Sequence, residues 1–257
     1  MGDFSVGQSV TRTEDPRLLK GLGRFIEDID LAGQVFATIV RSPHAHARIR
    51  SIDTSLALAM PGVLNILTGE DCEADGLGHL PCDQTRFSRD GSDMYRPPRP
   101  ILVSERVRLV GDYVAMVVAE TVTAARDAAE RVTVDYDPLP AVTNPAMAAE
   151  AGAPQLWENC PGNECFFHEE GDPEAVNSAF GKAYLVVSRR FTISRVTAAP
   201  MGPRGCIGSY DASEDRYTLH TGVQQAHMLR SQLAVNIFGL PETQIRVIAP
   251  DIGGSFG

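Results

Sequence analysis

The chain has 257 residues, 43% of them hydrophobic and 22% charged, with a formal net charge of −10. That length can bury a sizeable core as one large or two smaller domains, and the acidic balance argues against nucleic acid or an anionic membrane as the main partner. No stretch reaches the about 20 apolar residues that span a bilayer, and the N-terminus lacks the basic and apolar regions of a secretory signal, so a cytoplasmic protein is expected.

In chain order, residues 1–20 are polar and predict an extended arm. Val35–Arg41 reads as a strand, and Arg48–Asp53 as a half-exposed one. Thr54 and Ser55 are placed to cap a short helix through Met60, which Pro61 and Gly62 stop. Val63–Thr68 is a third strand, with a turn at Gly69. Residues 72–100 form a long loop rich in Gly, Asp, Arg, Ser and Pro. Asp112–Ala119 reads as a buried strand. Thr123 then caps a helix to about Arg131, whose Ala124, Ala125, Ala128 and Ala129 form a small apolar face. Val132–Tyr136 returns as a strand, and strand–helix–strand of this kind implies an α/β or α+β layer.

Residues 141–170 read as a linker. Asp172 followed by Pro173 opens a helix to about Ala183. Tyr184–Ile193 predicts a long strand. Cys206–Tyr210 and Tyr217–Thr221 form a hairpin around Asp211–Asp215. A helix from about Ala226 to Phe238 places Met228, Leu229, Leu233, Ile237 and Phe238 inward, and Gly239 ends it. Ile245–Ile248 is the last strand, delivering Asp251-Ile252-Gly253-Gly254-Ser255-Phe256-Gly257.

That glycine-rich loop is the first candidate site. Without Cβ atoms, its backbone can approach a ligand closely, and Phe256 could wall a pocket, although an isolated Gly-Gly is more often a plain turn. It lacks the Lys and Ser/Thr of a phosphate-binding loop. Thr221-Gly222-Val223-Gln224-Gln225-Ala226-His227, between a strand and a helix, is the second; Gln224 can donate an amide hydrogen to an oxygen ligand. Met201-Gly202-Pro203-Arg204-Gly205 is the third, with Arg204 as an anion or carbonyl contact or, more commonly, a salt-bridge partner. His44 and His46 are two apart, as two metal ligands on one strand face would be, but no third ligand has sensible spacing. The five cysteines form no Cys-x-x-Cys pair, so neither zinc nor an iron–sulfur cluster is expected within this chain.

Several segments taken in order resemble the large, molybdenum-binding subunit of the xanthine dehydrogenase / aldehyde oxidase / aerobic carbon monoxide dehydrogenase family. They are Gly23-Arg24-Phe25 with Asp28, Arg41-Ser42-Pro43-His44-Ala45-His46-Ala47, Pro61-Gly62-Val63 and Thr68-Gly69-Glu70-Asp71. Val110-Gly111-Asp112, Val134-Asp135-Tyr136-Asp137-Pro138-Leu139-Pro140, Pro203-Arg204-Gly205, Gly222-Val223-Gln224 and Gly253-Gly254-Ser255-Phe256-Gly257 complete the set. The resemblance implies an α+β chain: an α/β hammerhead domain over about 21–140, then the first part of a molybdopterin-binding domain over 171–257.

The resemblance also implies a molybdenum held by a pterin dithiolene, in the cytosine dinucleotide form usual in bacteria, with no protein side chain on the metal. Gln224 would approach the apical oxo ligand, and Gly253, Gly254, Phe256 and Gly257 would lie against the pterin and the metal. The implied reaction is hydroxylation of an aldehyde, N-heterocycle or similar carbon centre with oxygen from water, assisted by a glutamate base. Electrons would leave through [2Fe-2S] clusters to FAD on an iron–sulfur subunit and an FAD subunit. Purines, aldehydes, N-heterocycles and carbon monoxide all stay open as substrates.

Two departures from the family pattern stand out. Family chains continue beyond the glycine loop, and their glutamate base comes near the far end. The expectation is therefore a subunit inactive alone and completed by a C-terminal molybdenum-binding chain, with an unpaired edge on its last strand; the alternative is a truncated, non-catalytic remnant or scaffold that binds no cofactor. Gly202 also stands where Met-Glu-Pro-Arg is more usual, which removes an acidic group.

Overall fold

The computed structural model describes Gly7, residues 9–194 and residues 196–254, and the chain divides into two compact units. The terminal unit takes Met1–Ala32, Val196–Val235 and Leu240–Gly257, and the strand-rich unit takes Gly33–Arg195 and Asn236–Gly239. The first element, the single helical turn α1 (Asp15–Leu18), belongs to the terminal unit and interrupts the expected extended arm. Pro16 favours it, because its fixed φ suits a first turn and its missing N–H is not needed there.

The strand-rich unit opens with β1 (Phe36–Arg41), β2 (Ala47–Asp53), the turn-length helix α2 (Ser55–Leu58) and β3 (Val63–Thr68). The helix α3 (Gly69–Ala74) follows where a turn was expected. Its cause is a capping box: the Asp71 carboxylate accepts from the Thr68 N–H at 2.7 Å and from its hydroxyl at 2.8 Å. Then come β4 (Arg106–Val107), β5 (Tyr113–Ala119), α4 (Val122–Ala129) and β6 (Thr133–Pro138). The cap of α4 is Thr121, whose hydroxyl accepts from the Ala124 N–H at 3.1 Å, and not Thr123 as the sequence predicts.

Two antiparallel three-stranded sheets result, in the orders β1-β5-β3 and β4-β2-β6. The apolar run of β5 is central in its sheet and serves two cores, because alternate residues of a strand point to opposite faces. Ala115 and Val117 pack with Ile66 of β3 and with Ala57 and Ala128 of the helical layer. Val114 joins Ala47 and Val107 of the other sheet.

The stretch after β6 holds little regular structure, yet polar contacts pin it. Asn163 accepts from the Leu156 N–H and donates to the Ala148 and Pro154 carbonyls, each at 2.9 Å. The Arg108 guanidinium lies 3.6 Å from the centre of the Trp157 ring. The long loop is tied back as well: the Tyr95 N–H donates to the Cys165 carbonyl, and the Arg89 N–H to that of Phe167, both at 2.8 Å. Next is α5 (Pro173–Lys182), capped by Asp172 as expected.

The long strand expected over 184–193 is not formed. No described strand runs beside it to complete a ladder, and Tyr184, Phe191 and Ile193 are exposed.

The terminal unit carries the hairpin β7 (Cys206–Asp211) and β8 (Arg216–Thr221), then α6 (Ala226–Ser231) and β9 (Ile245–Ile248). The sheet order is β7-β8-β9, with β7 antiparallel and β9 parallel to β8, so among the described residues β9 is paired on one side. The helix started by α6 widens into a π-helix over Gln232–Phe238. This shifts the helical phase. Ile237 is buried as expected and Ala234 is buried near it in sequence, whereas Met228 and Phe238, expected inward, are exposed. Gly239 ends the helix with φ at +62°, as expected of a C′ residue.

Candidate functional site

A cavity of about 750 Å³ lies within the terminal unit. The three loops singled out in the sequence meet on it: Gly202-Pro203-Arg204, Gly222-Val223-Gln224 and Asp251-Ile252-Gly253-Gly254. Gln224, Gly253 and Gly254 are thus brought together, although they come from opposite ends of the helix that separates them. Phe256 and Gly257 lie outside the described residues. Phe25, Ile26 and Glu27, together with Thr197–Pro200, complete the wall.

Local hydrogen bonding explains how each loop reaches this place. The parallel register of β8 and β9, Tyr217 with Ile245 through His220 with Ile248, makes both strands end on the same side. The chain leaving β8 therefore supplies Gln224, and the chain leaving β9 supplies Gly253. The Thr221 hydroxyl donates to the Gly205 carbonyl at 3.1 Å, tying the Arg204 loop to the Gln224 loop. The Phe25 N–H donates to the Asp28 carboxylate at 2.9 Å, which fixes the turn that presents Phe25 and Ile26.

Two contacts set the glycine loop. The first is backbone against backbone. A Cβ built on Gly253 would sit 2.5 Å from the Gly202 Cα, and one on Gly202 would sit 2.8 Å from the Gly253 Cα. No larger side chain fits either position without moving a loop. The absence of an acidic side chain at 202 is therefore matched by glycine backbone occupying that space.

The second contact is electrostatic. Asp251 accepts from Nη1 and Nη2 of Arg17, each at 2.6 Å, and from the backbone N–H of Arg24 at 2.6 Å. The Arg17 bonds, followed by the Arg24 N–H, hold the Asp251 carboxyl down at about 2. The same pair raises the already high pKa of Arg17. Both groups are fully charged at any ordinary pH.

Sequence reasoning missed Arg17, Asp251 and the 197–200 wall. Ala199 carries φ of +43°, which is uncommon for a residue with a Cβ, and nothing in its composition marks it. The Asp251 carboxylate was visible next to the glycines, but its partner is 234 residues away.

The other candidates lie elsewhere. His227 is exposed on α6 and does not line the cavity. His46 is buried, with Nδ1 at 2.8 Å from the Pro140 carbonyl, and the His44 ring stands edge-on to Tyr136 at 4.8 Å. Among the described residues, no group of three or more His, Cys, Asp or Glu could hold a metal ion. No helix among them is long and apolar enough to cross a membrane.

The residues that line the cavity are compatible with a polar group held by hydrogen bonds and backbone contact. Among its glycines, Gly202 and Gly253 cover each other, and a Cβ on Gly222 would meet open space. Gln224 and Arg204 supply hydrogen-bond donors, and Phe25 supplies an apolar face.

Comparison with known proteins gives the same direction. The model of the aldehyde oxidase and xanthine dehydrogenase a/b hammerhead domain matches residues 20–140. That of the molybdopterin cofactor-binding domain matches residues 156–257. The carbon monoxide dehydrogenase large chain of Afipia carboxidovorans is 38% identical over 96% of this chain and 30% of its own length. The nicotine 6-hydroxylase large subunit of Paenarthrobacter nicotinovorans is 38% identical over 98% of this chain and 30% of its own. The solved structure of quinoline 2-oxidoreductase from Pseudomonas putida 86 superposes with a TM-score of 0.85 at 34% identity, over 98% of this chain and 31% of that one. The chain thus spans about 30% of the length of each of these two curated relatives.

Proposed function

The chain belongs to the aldehyde oxidase and xanthine dehydrogenase family of molybdopterin oxidoreductases, and on that premise we propose that its terminal unit forms one wall of a molybdenum hydroxylase active site. The observation that carries this reading is the convergence of Gln224, Gly253 and Gly254 on one cavity.

Gly253 and Gly254, with Phe256 and Gly257 next to them in sequence, would hold the pterin by close backbone approach. Gln224 would donate its amide hydrogen to an oxygen on the bound group, orienting it and stabilising negative charge there. When bound, the molybdopterin supplies two-electron chemistry that hydroxylates a carbon centre, such as that of an aldehyde or an N-heterocycle, with oxygen from water. The cytosine dinucleotide form of the cofactor is part of the proposal.

The rest of the site, including a glutamate base, would come from polypeptide that the longer relatives carry and these residues do not include. An iron–sulfur subunit with [2Fe-2S] clusters and an FAD subunit would take the electrons, in a cytoplasmic hetero-oligomer. The alternative of a cofactor-free scaffold is not favoured, because the glycine loop and Gln224 line an open cavity and not a filled core.

The test is the molybdenum and pterin content of the chain purified from its native host under mild conditions, with every co-purifying chain identified by mass spectrometry. About one molybdenum per chain, present with iron–sulfur and flavin partners, is the expected result. Absence of both molybdenum and pterin from an intact complex overturns the reading.

A further inference from the structure

The glycine loop is clasped from a distant part of the sequence. Arg17 places both prongs of its guanidinium on Asp251, at 2.6 Å each. The same guanidinium donates from Nη1 to the Leu22 carbonyl at 3.0 Å, so it is fixed to its own segment as well. Backbone bonds run beside it: the Arg24 N–H to the Asp251 carboxylate at 2.6 Å, and the Asp251 N–H back to the Arg24 carbonyl at 3.0 Å. The segment around Arg17 and Arg24 and the loop beginning at Asp251 therefore move together.

The clasp acts where the sheet no longer does. The last ladder pair of β9 is Ile248 with His220, so residues after it receive no strand pairing. Gly253 is then seated directly against Gly202, which leaves little tolerance for a shift of the loop. An exposed ion pair is ordinarily worth little, but a two-pronged pair in which the carboxylate takes a further N–H has defined direction as well as charge. Arg17 itself is not on the cavity wall, whereas Asp251 is.

We propose that Arg17, acting through Asp251, is a positioning residue for the cofactor, setting the Asp251–Gly254 turn whose backbone faces it. The proposal rests on the assignment of the cavity to molybdopterin. Arg17 neither touches the reacting atoms nor holds up the sheet; its role is to keep the loop in its cofactor-bound place.

The experiment compares the intact complex with its Arg17→Gln and Arg17→Lys forms, following the rate of pterin release on dilution, the molybdenum content and the melting temperature. In Arg17→Gln, release should accelerate about tenfold or more while the melting transition of the strand-rich unit stays at the parental value. Arg17→Lys should be intermediate, because an ammonium keeps the charge but not the planar fork. A parental release rate in folded Arg17→Gln overturns the proposal. So does faster release in both variants that only tracks a falling melting temperature, since that is general loosening. Where Arg17→Gln does not accumulate, Arg17→Lys decides, and parental release there also overturns the proposal. A parent complex without molybdenum or pterin refutes the cavity assignment itself and the clasp with it, whereas a loaded parent with unaffected variants refutes the clasp alone.

Discussion

The two units are each held together internally by different means. In the strand-rich unit, Val114, Ala115, Val117, Ala125 and Ala128 are fully buried, and two apolar clusters share β5 between them. In the terminal unit, the buried hydrophobic residues among those described are Ile29, Ala234 and Ile245. There the loops are set by a two-pronged ion pair, a hydroxyl–carbonyl bond and a glycine pressed on a glycine. Apolar burial is non-directional and tolerates relaxation, whereas these contacts fix position. A ligand wall needs position more than it needs burial.

The contrast is sharpest at the glycines. Gly253→Val, in the intact complex, adds a side chain where 2.5 Å separates the new Cβ from the Gly202 backbone. The loop must move, and a displacement on the order of 1 Å at a reacting centre reduces turnover by about 100-fold. Pterin content should fall with it, while the thermal transition of the strand-rich unit stays in place; retention of both pterin and activity would remove the Gly202–Gly253 contact from the site.

In the strand-rich unit the expectation reverses. Val117→Ala opens a cavity in a fully buried position and should lower stability by about 2 kcal/mol, measured by denaturant unfolding, with pterin content unchanged in the folded fraction. Loss of cofactor without loss of stability would show that the units do not divide the work in this way. Thr121→Ala removes the cap of α4 and should lower stability by about 1 kcal/mol, again without effect on cofactor.

The smallest effect expected is that of pH on the clasp. The Asp251 carboxyl is lowered to about 2, below its ordinary unfolded value near 4. Its stabilising contribution is therefore complete above about pH 4 and is lost as pH falls from there through 2. Between pH 5 and 9, pterin release should not vary through this group. A carboxyl titration by NMR that places Asp251 near 4 would show that the pair is not formed in solution.

Much of the strand-rich unit can be read from the sequence because its signals are local. The continuous apolar run of β5 and the Asp172-Pro173 helix start each need only a few neighbouring residues. Errors arise where two local signals compete or where a neighbour decides. Thr121 and Thr123 are both plausible caps, and the chain uses the first. Residues 184–193 have the composition of a strand, but a strand exists only with a partner, and none of those described stands beside them. A π-helix widens the helix after α6 and leaves Phe238 exposed, which a 3.6-residue period does not foresee.

The site is legible in a different way. Adjacent glycines announce close backbone approach and Gln224 announces a donor, but neither names its neighbour. The Arg17–Asp251 and Gly202–Gly253 contacts join residues far apart in sequence, and single residue types carry no sign of such pairing.

The most direct measurement is an experimental structure of the intact complex purified from its host, at a resolution that places the cofactor. Pterin against the backbone of Gly253 and Gly254, with the Gln224 amide directed to an oxygen of the bound group, is the result expected. A complete complex with this cavity empty, or with the pterin bound away from all three residues, would contradict the assignment of the terminal unit as the cofactor wall.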